Sequence, residues 1–232
     1  MGNYDTGSIA YYLVVTETFY LSPRLIRGMD VVNVTEGADS FTCNAYLALG
    51  EKNSLIDAGA TSLVHERIDE LCDGVHDVYM THKHGDHVSE LDQVIENHDP
   101  DVYMYDLDTR ATGELSDGEK VDIAGEEHLC LHTPGHSDDH VVFLNRDRIF
   151  SGDVVVYNDG AYSDGSFGRT DMAGQSRDQL IESIQKISDE LPETVEAMYP
   201  GHGDVYRGEE DSITEVVERA LSRAQERQPK YG

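Results

Sequence analysis

Basic side chains are scarce in this chain. Only 17 of them face 46 acidic residues, a formal charge of −29, and lysine is limited to Lys52, Lys83, Lys120, Lys186 and Lys230. No basic stripe exists for a polyanion to follow, which argues against a nucleic-acid partner. Cysteine is scarce too. Cys43, Cys72 and Cys130 lie far apart, so neither a disulfide framework nor a cysteine metal motif is expected. No apolar run approaches the ~18 residues of a membrane span, and no secretory leader pattern opens the chain. A soluble, cytoplasmic protein without a membrane partner is expected. The start Met1-Gly2-Asn3-Tyr4-Asp5-Thr6 formally fits a myristoylation pattern and is read as chance.

Low-complexity tracts, linkers and short repeats are also missing, and the length suits one domain over residues 1–232. The excess of acid has three readings. Disorder fails, because apolar periodic segments run the whole length. Cation binding fails, because the acids are scattered rather than clustered. Adaptation to a salty cytoplasm is retained: concentrated ions screen self-repulsion, and a carboxylate surface stays soluble. Many acids with few lysines are similar to what haloarchaeal proteins show.

Strands and helices alternate. Ile9 to Thr18, Val31 to Val34, Phe41 to Leu49, Ser54 to Asp57 and Val78 to Thr81 read as strands, rich in β-branched and aromatic residues. Val64, Ile68, Leu71 and Cys72 have helical spacing, and a helix is expected from Asp86 to about Asn97. Val102 to Tyr105, Leu129 to Thr133, Val141 to Leu144, Arg148 to Ser151 and Glu196 to Tyr199 read as further strands. A helix starting at Ser176 has Gln179 three residues on, a capping arrangement, and a last helix carries Ile213, Val216, Val217, Ala220 and Leu221. Asn158 to Gly174, dense in Gly, Asp and Ser, is a loop. The alternation predicts a layered α/β domain.

Chemistry concentrates in Thr81-His82-Lys83-His84-Gly85-Asp86-His87. His82 and His84, two apart in an extended segment, point the same way. Asp86 and His87, on the first turn of the next helix, can aim at a neighbouring point. Neutral imidazole and carboxylate are ligands for Zn²⁺, Mn²⁺ or Fe²⁺. Three more candidates follow strand ends beside glycine: His136 after Gly135, Asp153 after Gly152, His202 after Gly201. Glycine lets the backbone bring such a side chain close.

Asp57, the His82-x-His84-x-Asp86-His87 run, His136, Asp153 and His202 resemble, in order, the five motifs of the metallo-β-lactamase superfamily over about residues 40 to 205. The resemblance implies a four-layer αβ/βα sandwich and two divalent metal ions, zinc first, with manganese or iron as alternatives. It assigns His82, His84 and His136 to one ion, Asp86, His87 and His202 to the other, and Asp153 to both. Asp57 would orient a ligand, and Asp86 is also a candidate for proton transfer. A hydroxide between two ions ~3.5–4 Å apart would then attack the substrate.

Among branches of that superfamily, the main zinc β-lactamases have Cys where this chain has Asp153, and flavodiiron proteins have Glu in place of His84. Asp153 and His202 are only 49 residues apart, which leaves no room for the insertion of β-CASP nucleases. Phe167-Gly168-Arg169-Thr170-Asp171 resembles a Gly-Arg-Thr-Asp segment of the glyoxalase II-like group and of persulfide dioxygenases, making Arg169 and Asp171 candidate substrate-loop residues. Only 30 residues follow His202, too few for the glutathione-binding helices of full-length glyoxalase II. A small-molecule thioester or ester hydrolase is expected. A phosphodiesterase or nuclease, or a mononuclear iron persulfide dioxygenase using His82, His136 and Asp153, are the alternatives, and a homo-oligomer stays open. The charge generates its own test: far-ultraviolet circular dichroism against salt should show cooperative structure lost at low ionic strength, and a cooperative fold there would remove the salt-adaptation argument.

Overall fold

The computed structural model describes residues 29–228; the expected strand Ile9 to Thr18 and the Met1-to-Thr6 pattern lie outside the described residues. The first half contains β1 (Asp30–Asn33), β2 (Tyr46–Leu49), β3 (Ser54–Ile56), α1 (Leu63–Leu71), β4 (Asp77–Tyr79), α2 (Gly85–Val88), α3 (Leu91–His98), β5 (Asp101–Met104) and β6 (Gly113–Glu114). Its strands form one sheet in chain order, antiparallel from β1 to β3 and parallel from β3 to β6. The second half contains β7 (Lys120–Ile123), β8 (Glu126–His132), β9 (Val141–Leu144), β10 (Arg148–Gly152), β11 (Val155–Val156), β12 (Ser166–Phe167), α4 (Arg177–Glu190), β13 (Ala197–Pro200) and α5 (Ile213–Gln225). Its sheet runs β13-β10-β9-β8-β7, with β11 and β12 as a separate ribbon. β13 lies parallel to β10.

Side chains alternate across a strand, and both sheets bury both faces. Tyr46, Ile56 and Tyr79 from one sheet meet Cys130, Phe143, Phe150 and Tyr199 from the other. Leu47, Leu55, Val78 and Val102 point outward under Val64 and Ile68 of α1 and Leu91 and Val94 of α3. On the opposite side Leu131, Val142, Ile149 and Met198 pack beneath Leu180 and Ile184 of α4 and Val216, Val217 and Ala220 of α5. The layers therefore run helix, sheet, sheet, helix, the expected αβ/βα sandwich. No helix among the described residues is long and apolar enough to cross a membrane.

Two expectations are corrected. The strand foreseen from Phe41 begins only at Tyr46, because Cys43 and Asn44 send their N–H groups to the carbonyls of Asp86 and Gly201 (3.3 and 2.7 Å) rather than to a neighbouring strand. The helix foreseen from Asp86 is broken at Ser89-Glu90 into α2 and α3. The Glu90 N–H that would have continued it bonds to Gly59 O at 3.1 Å, and the Asp86 carbonyl it would have used accepts from Cys43. By contrast, α4 starts as expected, Ser176 Oγ accepting from the Gln179 N–H at 3.3 Å. The stretch 158–174 is mostly irregular but includes β12. Arg219 and Arg223 of α5 pin it by donating to the Asp164 and Gly165 carbonyls, and Arg177 covers the Phe167 ring at 4.1 Å.

His128 on β8 is fully buried, with Nδ1 donating to the Glu126 carbonyl at 2.9 Å and its ring 5.9 Å from that of Phe150. Burial pushes its pKa down to about 4 from 6.5. Between those values the unfolded chain binds the extra proton. The His128 contribution is therefore complete above the unfolded value and is lost as pH falls toward the folded one. Replacing His128 by Leu should remove about 2 kcal/mol of the stability difference between pH 7 and pH 5. Urea unfolding at the two pH values measures this, and an unchanged difference would refute the assignment.

Candidate metal centre

Every candidate ligand follows a strand. Past β4, Thr81 to His84 stays extended; His84 itself has φ −64° and ψ 149°. His82 and His84 turn inward while Lys83, between them, turns away to Asp106. The single turn of α2 then presents Asp86 and His87. His136 follows β8, Asp153 follows β10, and His202 follows β13.

These loops converge. The ligand atoms of His82, His84 and His136 lie within 4.8 Å of one another, as do those of Asp86, His87 and His202, and each group could hold a metal ion. Asp153 stands between them. Its Oδ2 is 3.3 Å from His136 Nε2 and 3.5 Å from His202 Nε2, and its Oδ1 is 3.5 Å from His87 Nε2. His202 Nε2 also reaches Asp86 Oδ2 at 3.0 Å. The structure thus brings all seven candidate ligands to one place.

Hydrogen bonding decides which ring nitrogen faces the centre. Thr81 Oγ1 donates to Asp57 Oδ2 at 2.7 Å, so its contact with His82 Nδ1 at 3.0 Å must be one it accepts. His87 Nδ1 donates to Asp57 Oδ2 at 2.8 Å, and His136 Nδ1 to the Arg169 carbonyl at 2.9 Å. Each ring therefore presents its Nε2 to the interior. His82 Nε2, His87 Nε2 and Asp153 Oδ1 are buried without a hydrogen-bond partner. Orphaned donors of this type, converging in a buried place, fit divalent metal ions. Asp57, the expected orienting residue, also accepts from the Thr81 N–H at 2.8 Å.

Electrostatics separates the two groups. Burial holds the His82 and His84 pKa values down, and that of His136 at about 4, which keeps these imidazoles neutral, the form a metal requires. In the other group burial is outweighed. Cys43, Asp57 and Asp153 raise His87, and Asp153 and Asp86 raise His202. Burial likewise opposes ionisation of Asp153, but His87 and His202 hold it well below the usual carboxylate range. Asp86 is lowered in the same way, burial being outweighed by the His202 hydrogen bond and His87.

The centre opens into a cavity of about 1360 Å³, lined among others by Phe41, Asn44, Arg169, Met172 and Arg207. Two glycines let the backbone approach. A Cβ on Gly201 would stand 2.2 Å from Asp153 Oδ1, and one on Gly168 would stand 1.9 Å from the Asp153 carbonyl. Arg169 lines the cavity, whereas Asp171 does not and instead accepts from the Arg169 guanidinium at 2.9 and 3.0 Å. His140, which the sequence places in the core or behind a ligand rather than as a ligand itself, is buried, and its Nε2 accepts from the Asp153 N–H at 3.0 Å. Sequence reasoning missed two residues: Phe41 stacks on His202 at 5.4 Å, and Asn44 grips the His202 loop. Neither carried a signal.

No protein-family profile matches the chain. A probable polyketide biosynthesis zinc-dependent hydrolase, PksB of Bacillus subtilis (strain 168), is 32% identical over 132 residues, covering 54% of this chain and 55% of that protein. A hydroxyacylglutathione hydrolase of Francisella philomiragia is 33% identical over 120 residues, 48% of this chain and 43% of the relative. The chain spans less than two thirds of the length of the first curated relatives it matches, from 55% to 63%. Among solved structures, ETHE1 from Myxococcus xanthus superimposes with a TM-score of 0.65 at 23% identity, covering 87% of this chain and 91% of that one. The fold is the metallo-β-lactamase fold, and relatives and structural neighbours together support that superfamily.

The Asp57–His87 bond yields a test. Asp57→Asn keeps the shape but leaves Nδ1 of His87 without a carboxylate, so zinc affinity should fall by roughly 10- to 100-fold. Equilibrium dialysis against zinc measures it, and an unaltered affinity would sink the orienting role.

Proposed function

We propose that this chain is a metal-dependent hydrolase of the glyoxalase II-like kind, holding two divalent ions, zinc first, and cleaving a small-molecule thioester or ester. The observation that carries this reading is the position of Asp153, whose carboxylate lies within 3.5 Å of His136, His87 and His202 and so between two clusters of ligand-type residues. His82, His84 and His136 would hold one ion, and Asp86, His87 and His202 the other, with Asp153 shared. When bound, two such ions bring the pKa of water to about 7 and offset charge on a carbonyl oxygen. Asp86, kept ionised by its imidazole neighbours, serves first as a ligand and second as a proton carrier to the leaving group.

The mouth of the cavity supports an acyl substrate. Large apolar side chains left exposed among the described residues are Phe41, Leu71, Leu107 and Met172, and two of these, Phe41 and Met172, line the cavity. An apolar acyl group would cover them from water. The names of the hydroxyacylglutathione hydrolase and the zinc-dependent hydrolase relatives support hydrolysis and zinc. A charge of −29 disfavours a polyanionic nucleic acid, and a salt-rich cytoplasm is the setting that suits this surface.

Elemental analysis of protein purified in high salt without chelator should find about two zinc or manganese ions per chain. The same protein should hydrolyse acyl thioesters. His84→Ala should lose metal and lower hydrolysis by at least about 100-fold. One iron per chain with persulfide-dependent oxygen uptake would overturn the hydrolase reading in favour of a dioxygenase.

A further inference from the structure

Three of the histidines in the centre have rings fixed by a bond at Nδ1: His82 by Thr81, His87 by Asp57, His136 by the Arg169 carbonyl. His84 Nδ1 meets His136 Nε2 at 2.9 Å. His202 differs. No hydrogen bond at its Nδ1 exists among the described residues, and its side chain is the most exposed of the candidate histidines that form ion pairs at the centre, at 25%. Phe41 stacks on its ring at 5.4 Å, and with no bond at Nδ1 its aim toward Asp86 and Asp153 otherwise depends on where its backbone is held.

Asn44 holds that backbone. Its N–H donates to the Gly201 carbonyl at 2.7 Å. Its side-chain amide donates to the carbonyls of Pro200 and Gly203, each at 2.9 Å. One residue thus grips the chain on both sides of His202. The amide cannot be turned the other way. Asn33 Oδ1 accepts from the Thr35 N–H at 3.0 Å, which leaves Asn33 Nδ2 to donate to Asn44 Oδ1 at 2.9 Å. With Oδ1 thus used, Nδ2 of Asn44 faces the two carbonyls. The preceding residue extends the clamp, since the Cys43 N–H donates to the carbonyl of Asp86 at 3.3 Å.

We propose that Asn44 is the positioning residue for His202, and that it sets how tightly the second metal position, formed by Asp86, His87 and His202, is occupied. The inference rests on the two-metal reading above. It predicts an asymmetric defect, because among the described residues the Asn44 side chain shares no hydrogen bond with His82, His84 or His136.

The experiment measures two zinc dissociation constants by chelator competition for the wild type, Asn44→Asp and Asn44→Ala. Circular dichroism of each metal-free protein serves as the fold control. Asn44→Asp keeps the shape but turns an acceptor toward two carbonyls, and Asn44→Ala only removes the donors. Both should weaken the second ion by about 10- to 100-fold and leave the first ion and the metal-free fold unchanged. If both variants kept both constants, lost both ions equally, or failed to fold, Asn44 would not be a positioning residue for His202. A wild type that binds fewer than two ions would overturn the two-metal reading itself, and this inference with it.

Discussion

The Asp57 carboxylate is buried, and among the described residues neither lysine nor arginine forms an ion pair with it. Three donors hold it instead: the Thr81 N–H and hydroxyl on one side and the His87 ring on the other. A buried carboxylate without such partners is costly, so the ends of β3 and β4 and the first turn of α2 are obliged to meet here. Asp57 itself adopts φ +58°, a left-handed conformation that aspartate tolerates better than most residues. Through Thr81 the same carboxylate fixes the ring of His82. Two imidazoles of the centre therefore take their orientation from one side chain that is not among those lining the cavity.

The sandwich explains why these loops can converge at all. Tyr46, Phe143, Phe150 and Tyr199 fill the space between the sheets, and ligands from both halves emerge where the strands end. The two halves are joined at that edge by polar bonds rather than by apolar packing. Asn44 and the Tyr46 hydroxyl, both from the first half, hold the Pro200 carbonyl from the second at 2.9 and 2.7 Å. The Asp153 carboxylate then lies where the two halves face each other.

Much of this was legible in the sequence because it is local. The alternation of His82 and His84 around Lys83 states its own geometry, and the apolar periods of α1, α4 and α5 need no partner to be read. What escaped depends on distant partners. Phe41 to Ala45 has strand composition, yet the N–H groups of Cys43 and Asn44 go to the carbonyls of Asp86 and Gly201. The run after Asp86 has helical composition, yet Gly59 takes the N–H that would have carried the helix past Glu90. Arg169 attracted notice through the Gly-Arg-Thr-Asp run, while the group that meets the His136 ring is its carbonyl, which every residue possesses.

The parallel pairing of β13 with β10 has a temporal side. Synthesised from its amino terminus, the chain holds His82, His84 and His136 well before α4 is made, but the segment carrying His202 arrives only after that helix has crossed back to lay β13 beside β10. Non-local parallel pairing of this kind is slow relative to local contacts. The centre is thus completed in two instalments: a growing chain carries His82, His84, His87 and His136 while the last member of the second group, His202, is still to be made.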